Sequence, residues 1–395
     1  MIEVRVVHVV LSAFAVILGS GIAVGVVFWF ATLVAALFFR GRRTPGLNTT
    51  DALPPATILK PVCGLEKNLA ENLRTACEQD YPCYQVVFST QRSDDPALGV
   101  LRAIEREFGP ERVTVVVSDV QIGANGKINN LAGALSGARH DILVISDSDV
   151  RLRPDYLKAI VTPLTDPTIG GVSTFFKAAD AGPWYEQMEL LTLSADHFAT
   201  AMFAGVIGVS DFCFGASFAL RRETLAHIGG LDDLGSYLVE DNEMGQRILR
   251  TGLKLAIVPY VVDTTIDLKS PAQWWQKMNY WDQNTRVARP GVFAASLMLR
   301  IIPLALLFAA VRGFDSLGLT ALLGSIAVRV AAAAMVLGVA LRDYKSLRSL
   351  WLIPIKDVLS LFWFVHAYVN RTVVWRGARL GLTRDGRFVP VTPQS

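Results

Sequence analysis

Two carboxylates one residue apart, Asp147 and Asp149, close an apolar run at residues 142–145. A continuous apolar run of that length suits a strand buried on both faces of a parallel sheet. Ligands of such sheets bind at the carboxyl ends of the strands. A D-x-D pair there offers oxygen ligands to a hard divalent cation, Mg2+ or Mn2+, which also grips a diphosphate. The pair could equally cap the next helix from a solvated turn. Three further stretches carry polar groups of the same kind. Asp94 and Asp95 precede Pro96, where a carboxylate can reach a base or ribose hydroxyls, or cap a helix. The glycine-punctuated loop 123–126 leads into Lys127 and Asn129, and its N–H groups with Lys127 could meet phosphate. Glu240 and Asp241 stand at an expected helix start, where acidic residues also serve as plain N-terminal charge.

The elements that must position these groups alternate. Strands are expected over residues 57–61, 85–90, 112–117 and 141–146, and helices over 66–79, 96–108 and 127–138. That order implies an α/β domain with a parallel sheet and right-handed crossovers. After Pro154 the pattern loosens to a strand over 170–176, a helix over 184–200 and an apolar stretch over 198–209 too short to span a bilayer. A strand over 212–220 and a helix from Asp241 to Arg250, ended by Gly252, follow.

Of the 395 residues, 52% are hydrophobic, and the excess sits before residue 40 and after residue 291. This is the profile of a membrane-tethered domain. Residues 6–39 form an apolar segment of spanning length closed by Arg40, Arg42 and Arg43, which puts the following domain on the cytoplasmic face. Its length and the lack of a small-residue cleavage site argue for an uncleaved anchor. The expected organisation is an anchor at 1–43, a linker at 44–55, a catalytic domain at 56–270, an aromatic and basic interfacial segment at 271–291, and a membrane region with a basic tail at 292–395. Within the last, 292–310 and 317–341 read as an antiparallel pair of spans. Residues 350–369 read as a re-entrant or interfacial segment broken near Pro354, with Lys356 and Asp357 paired and the tail cytoplasmic, against the simpler hydropathy count of three full C-terminal crossings with the tail outside. Four cysteines without a C-x-x-C and five histidines without metal spacing argue against a disulfide framework or a zinc site. A net charge of +3, without basic and aromatic interleaving in the middle, argues against a nucleic-acid partner.

Taken together, 59–64 (Leu-Lys-Pro-Val-Cys-Gly), Asp80-Tyr81-Pro82, Asp94-Asp95-Pro96, 127–131 (Lys-Ile-Asn-Asn-Leu), Asp147-Ser148, Glu240-Asp241, Asn370-Arg371 and Trp375-Arg376 resemble the ceramide glucosyltransferase family of membrane-bound lipid glycosyltransferases. The resemblance covers most of the chain and implies a GT-A fold. It places nucleotide binding on Asp94 and Asp95, metal-diphosphate binding on Asp147, and the general base on Asp241. His197 falls where the family carries a histidine before its acceptor region. One departure stands out: where the family has Gln or Arg, two residues, then Arg-Trp, this chain has Lys277, Tyr280 and Trp281. A frame six residues later offers Gln283 and Arg286 followed by Val287, so Lys277 and Arg286 are the candidates for the missing charge.

The implied chemistry is inverting, metal-dependent transfer of a hexose from a UDP-sugar, UDP-glucose foremost, to the hydroxyl of a membrane lipid such as ceramide. The lipid bilayer is then both support and acceptor source. The membrane is the cell inner membrane in a bacterium or the Golgi in a eukaryote. Diacylglycerol or a hopanoid as acceptor, another UDP-sugar, and a processive polysaccharide synthase are the alternatives within the same catalytic domain. A non-enzymatic membrane scaffold stands outside it, against the retention of every carboxylate.

Overall fold

The computed structural model describes residues 2–44, 46, 53–370, 372–375, 378–383 and 385–390. Most of the expected linker, together with Arg371, Arg376 and Arg384 of the expected basic tail, lies outside them. The chain forms two compact units. One comprises Arg42–Ala181, Ile207–Asp267 and Trp375–Ser395; the other comprises Met1–Gly41, Gly182–Val206 and Leu268–Val374.

The first unit is built on eight strands: β1 (Ala56–Pro61), β2 (Tyr84–Thr90), β3 (Val113–Val117), β4 (Ile142–Ser146), β5 (Val150–Arg151), β6 (Ile169–Ala179), β7 (Ser217–Arg221) and β8 (Lys254–Thr265). Their spatial order is β3-β2-β1-β4-β7-β6-β8-β5. The first four are mutually parallel, as the alternation of strands and helices requires. Every residue of β1 and β4 is buried, so successive side chains feed two cores. Ile58, Ile142 and Val144 pack with the helices Leu69–Cys77 and Leu98–Phe108 on one face. Leu59, Leu143 and Ile145 pack with Gly126–Ser136 and Glu240–Arg250 on the other.

The second half of the sheet is mixed, with β7 antiparallel to β4 and β6, and β5 antiparallel to β8. Strand β8 is absent from the sequence reading. Pro259 in its middle cannot donate to a ladder and lowers the strand signal. The structure accommodates it by a register shift. Thr174 of β6 pairs with Val258 and Phe175 with Val261, so Pro259 and Tyr260 fall within the irregularity. The expected strand over 212–220 is shorter than read, and only its end, β7, joins the sheet.

A small sheet, β9 (Thr372–Trp375), β10 (Ala378–Leu382) and β11 (Phe388–Pro390), follows the last helix. Its β10–β11 turn is part of the first unit and bonds to the segment before Glu240: Leu238 N donates to Gly386 O at 2.9 Å, and Tyr237 bridges to Arg387.

The other unit holds the long apolar helix Ile2–Gly41 and three helical stretches at 290–311, 316–340 and 345–369. By length and composition Arg5–Gly41, Ser316–Ala340 and Lys345–Val369 can each cross a membrane. The expected straight span over 292–310 is instead two helices, Pro290–Leu299 and Ile301–Val311, bent by 57° at Arg300. Pro354 stands where the 3-10 run Lys345–Leu352 passes into the α-helix Ile353–Val369, in a first turn where its missing N–H costs no hydrogen bond. Charges buried in this unit neutralise one another. Asp196 accepts from Lys356 Nζ at 2.5 Å and from Arg329, and Asp357 Oδ1 stands 2.7 Å from Lys356 Nζ. Arg329 Nε lies 3.0 Å from Asp357 Oδ2. Two cations and two anions form one closed set, as buried charge requires.

Candidate active site

The D-x-D does not cap a helix. After β4 the chain turns through Asp147 and Asp149 straight into β5, with Val150 N donating to Asp147 O at 3.2 Å. The turn is shaped from below by Lys60, which the sequence reading quoted only as part of a motif. Lys60 is fully buried, and its Nζ donates to Ser146 Oγ (3.2 Å), Asp147 O (2.8 Å) and Val150 O (3.0 Å). Burial pulls its pKa down to about 8, against the attraction of Asp149 and Asp147. A lysine inside an apolar strand was the available signal, since such a charge is buried only when partnered.

Asp147 and Glu240 meet on one cation, and Asp241 adds its field to theirs. Lys127 Nζ stands 2.7 Å from Asp147 Oδ1 and 3.4 Å from Glu240 Oε1, and it donates to Gly215 O at 3.1 Å. Burial works against the Lys127 ammonium, but Asp147, Glu240 and Asp241 outweigh it and hold its pKa above the ordinary value. Asp241 Oδ2 accepts from Gly215 N and Oδ1 from Asn242 N, each at 2.7 Å. Burial raises the Asp241 carboxyl above the usual aspartate range, with Lys127 opposing. Gly215 leaves room for this cluster: a Cβ would stand 3.0 Å from Asp241 Oδ2 and 3.1 Å from Lys127 Nζ and press on both.

The glycine loop serves this cluster mainly through side chains. Asn125 Oδ1 accepts from Lys127 N and Ile128 N, so two of the helix's opening donors are already bonded. Asn125 Nδ2 donates to Tyr237 O and to Glu240 Oε2, both at 3.0 Å. Asn129 is engaged with its own loop, accepting from Ile122 N and Gly123 N and donating to Gly123 O. Gly123 lies back to back with Gly235, whose backbone a Cβ on Gly123 would strike.

The two aspartates after β2 divide their work. Asp95 is buried; its carboxylate accepts from Gly64 N at 3.0 and 3.1 Å and from Ala97 N at 2.8 Å. Asp94 is open to solvent, its side chain 66% exposed in a fork with Arg92. Of the pair, Asp94 is the one with a face open to a ligand.

The donor set is all oxygen, and Asp147 presents a side chain one-third exposed. Among the described residues no three His, Cys, Asp or Glu side chains form a ready cage. This fits a hard divalent ion held by one or two carboxylates and completed by phosphate oxygens, the habit of Mg2+.

The remaining candidates belong to the membrane unit. His197 ends a π-helical turn, Thr192–His197, inside an otherwise α-helical run, a distortion common at functional positions. Its ring centroid lies 5.6 Å from that of Trp281. Burial holds the imidazole below its ordinary pKa, with Asp196 opposing. Lys277 Nζ meets the fully buried Glu189 at 2.6 Å. Arg286 lies in the last turn of the helix Pro271–Ala288, and Gln283 on that helix donates to Thr372 O at 3.2 Å.

Comparison with known proteins places the whole arrangement. The profile of glycosyl transferase family 21 matches residues 17–388. The chain belongs to that family. Ceramide glucosyltransferase 1 of Caenorhabditis elegans is 25% identical over 251 residues, 62% of this chain and 53% of the relative. Ceramide glucosyltransferase 3 of the same organism is 27% identical over 241 residues, 59% and 52% of the two chains. The chain thus spans about half the length of these curated relatives. Among solved structures, the mannosyltransferase PcManGT from Pyrobaculum calidifontis, in complex with GDP-Man and Mn2+, superposes with a TM-score of 0.56. It is 21% identical, with 91% of this chain and 98% of that one covered, and shares the GT-A fold. The expected family and fold are therefore those found, and the D-x-D, Lys127 and Glu240-Asp241 of this family 21 chain stand together in its sheet unit.

Proposed function

We propose that the protein transfers a hexose, glucose foremost, from a UDP-sugar to the hydroxyl of a membrane lipid of the ceramide kind, with inversion at the anomeric carbon. The observation that carries this reading is the convergence of Asp147, Glu240 and Asp241 on Lys127 at the carboxyl end of β4. The names of the curated relatives support the sugar and the acceptor, and the apolar helices support a lipid over a soluble one. The positive flank at Arg40, Arg42 and Arg43 supports a cytoplasmic catalytic unit.

Asp147, with Asp149 beside it, would hold Mg2+ or Mn2+, which supplies charge neutralisation for the departing diphosphate. Lys127 adds a point charge for the same phosphates. Asp94 is oriented by Arg92 toward solvent and suits the nucleoside. Asp241 takes the proton as the acceptor oxygen bonds to C1 and the C1–O bond to UDP breaks. Each Asp241 oxygen holds one backbone N–H and keeps a further lone pair for that proton. Its raised pKa strengthens it as a base. A single base and no covalent nucleophile imply attack from the face opposite UDP, hence inversion. His197, Lys277, Trp281 and Arg286 are assigned to substrate binding.

The test is purified protein in vesicles containing ceramide or diacylglycerol, supplied with UDP-glucose, UDP-galactose or GDP-mannose with and without Mg2+ or Mn2+. A β-glucosyl lipid formed from UDP-glucose only with metal is expected. Transfer unaffected by chelation, or an α-linked product, contradicts the reading.

A further inference from the structure

We infer that the C-terminal hairpin is part of the catalytic apparatus, with Arg387 the positioning residue for the loop that presents Glu240 and Asp241. This rests on Asp241 being the base. Arg387 Nη2 donates to Tyr237 Oη at 2.7 Å, and Nη1 lies 3.4 Å from Asp233 Oδ1. Its guanidinium also stands 4.7 Å above the Tyr237 ring, while Arg247 approaches the same ring at 5.7 Å and pairs with Asp233. One backbone bond, Leu238 N to Gly386 O, fixes the register of tail and loop. Segment 233–238 is thus held from the tail side through both side chains and main chain.

The same segment is held on its other side by the catalytic loop. Gly235 O accepts from Asn125 N at 2.8 Å, and Tyr237 O accepts from Asn125 Nδ2 at 3.0 Å. Asn125 is the residue that caps the Lys127 helix and bonds Glu240 Oε2. A continuous set of bonds therefore runs from Arg387 through Tyr237 and Asn125 to Lys127 and Glu240, next to Asp241. Leu234 and Leu238 anchor the segment in apolar surroundings, and these polar ties fix the orientation of the backbone between them. Misplacement of a reacting group by about 1 Å costs up to about a hundredfold in rate. Arg387 touches no substrate; its effect falls on the alignment of Asp241 rather than on donor affinity.

The experiment compares Arg387→Ala, Arg387→Lys, Tyr237→Phe and the Arg387→Ala/Tyr237→Phe double variant in the full chain, with Asp241→Asn alongside. Folded protein is quantified by gel filtration in detergent and by UDP binding. Arg387→Ala is expected to lower kcat about tenfold with donor KM within about threefold. Arg387→Lys should regain a good part of that loss, because the charge beside Asp233 and the ring returns. Tyr237→Phe removes one hydroxyl and should lower kcat by a smaller factor, and the double variant should be no worse than Arg387→Ala alone. Wild-type kcat in folded Arg387→Ala overturns the inference, as does a loss that merely tracks the folded fraction or fully multiplicative losses in the double variant. If Arg387→Ala does not fold, Tyr237→Phe decides: an unchanged kcat overturns the inference. An active Asp241→Asn would instead overturn the assignment of the base.

Discussion

Lys127 Nζ and Asp147 Oδ1 meet at 2.7 Å, so the helix after the glycine loop and the turn after β4 share one ion pair. Glu240 joins the same ammonium at 3.4 Å. Removing the cation leaves three carboxylates facing one another with nothing between them. Lys127→Met is therefore expected to raise donor KM about tenfold or more, while the freed carboxylates lower the metal concentration needed for half-maximal rate. Steady-state kinetics across a Mn2+ titration checks both, and an unchanged donor KM counts against the phosphate role of Lys127.

The pH profile follows from the base. Burial holds the Asp241 carboxyl above the ordinary aspartate value, so its protonated form persists to higher pH than in a solvated aspartate. A base acts only when deprotonated, and kcat/KM must fall as pH drops through that raised value. The acid limb is expected above the ~3.9 of an unperturbed aspartate. Lys127→Met, which removes the opposing charge, should move it higher still. A limb at or below ~4 in wild type would be the wrong sign.

Lys60 ties the D-x-D turn to the sheet through three bonds from one buried ammonium. Lys60→Met keeps the stem and removes the donors. The expected result is weaker metal dependence of binding, seen as a several-fold higher half-saturating Mn2+. The expected loss of stability is about 1–3 kcal/mol from the carbonyls left without a donor. Isothermal titration and thermal unfolding in detergent separate the two effects, and unchanged metal affinity with normal stability would show that the turn holds its shape unaided.

Depth in the membrane unit can be counted along the first helix. Leu304 and Phe308 pack beside Leu18 and Ile22, about 20 residues or roughly 30 Å from Arg40, so the bent helix pair reaches the far edge of a bilayer core of about 30 Å. Ser349, by contrast, donates to Gln187 on the helix the chain enters soon after β6, and the tail bonds to Tyr237 and Leu238. The topology expected on this count has 290–311 and 316–340 as two crossings and 345–369 as a segment that does not cross, although its length and composition would allow it to. In a chain with Cys63 and Cys83 changed to Ser, Phe314→Cys should react with an impermeant thiol reagent on intact cells, and Tyr344→Cys only after permeabilisation. Ser395→Cys in the same background should also need permeabilisation, and its labelling on intact cells would mean that 345–369 crosses.

The parallel half of the sheet was legible because residues 57–61, 85–90 and 142–145 each hold an apolar run (58–59, 86–88 and 142–145), the mark of strands covered on both faces. Strand β8 was not, since Pro259 breaks its pattern and only its pairing with β6 explains how it is accommodated. In the site, the identities of Asp147, Lys127 and Asp241 could be read from motifs, and the structure brings those three together. Motif spacing does not report which polar groups are already engaged. Asp95 and Asn129 have the residue types of ligand-binding groups, yet their side chains bond loop backbone. Asn125 and Arg387 matter through contacts more than a hundred residues away in sequence, and no local pattern encodes those.

The assignment of Asp241 as the base is the claim on which the rest depends, and one variant tests it. Asp241→Asn keeps the side-chain shape and loses the capacity to take a proton. UDP affinity measured by calorimetry should stay within about threefold of wild type, while transfer of glucose to lipid falls by at least about two orders of magnitude. Near-wild-type turnover by the folded variant would contradict it.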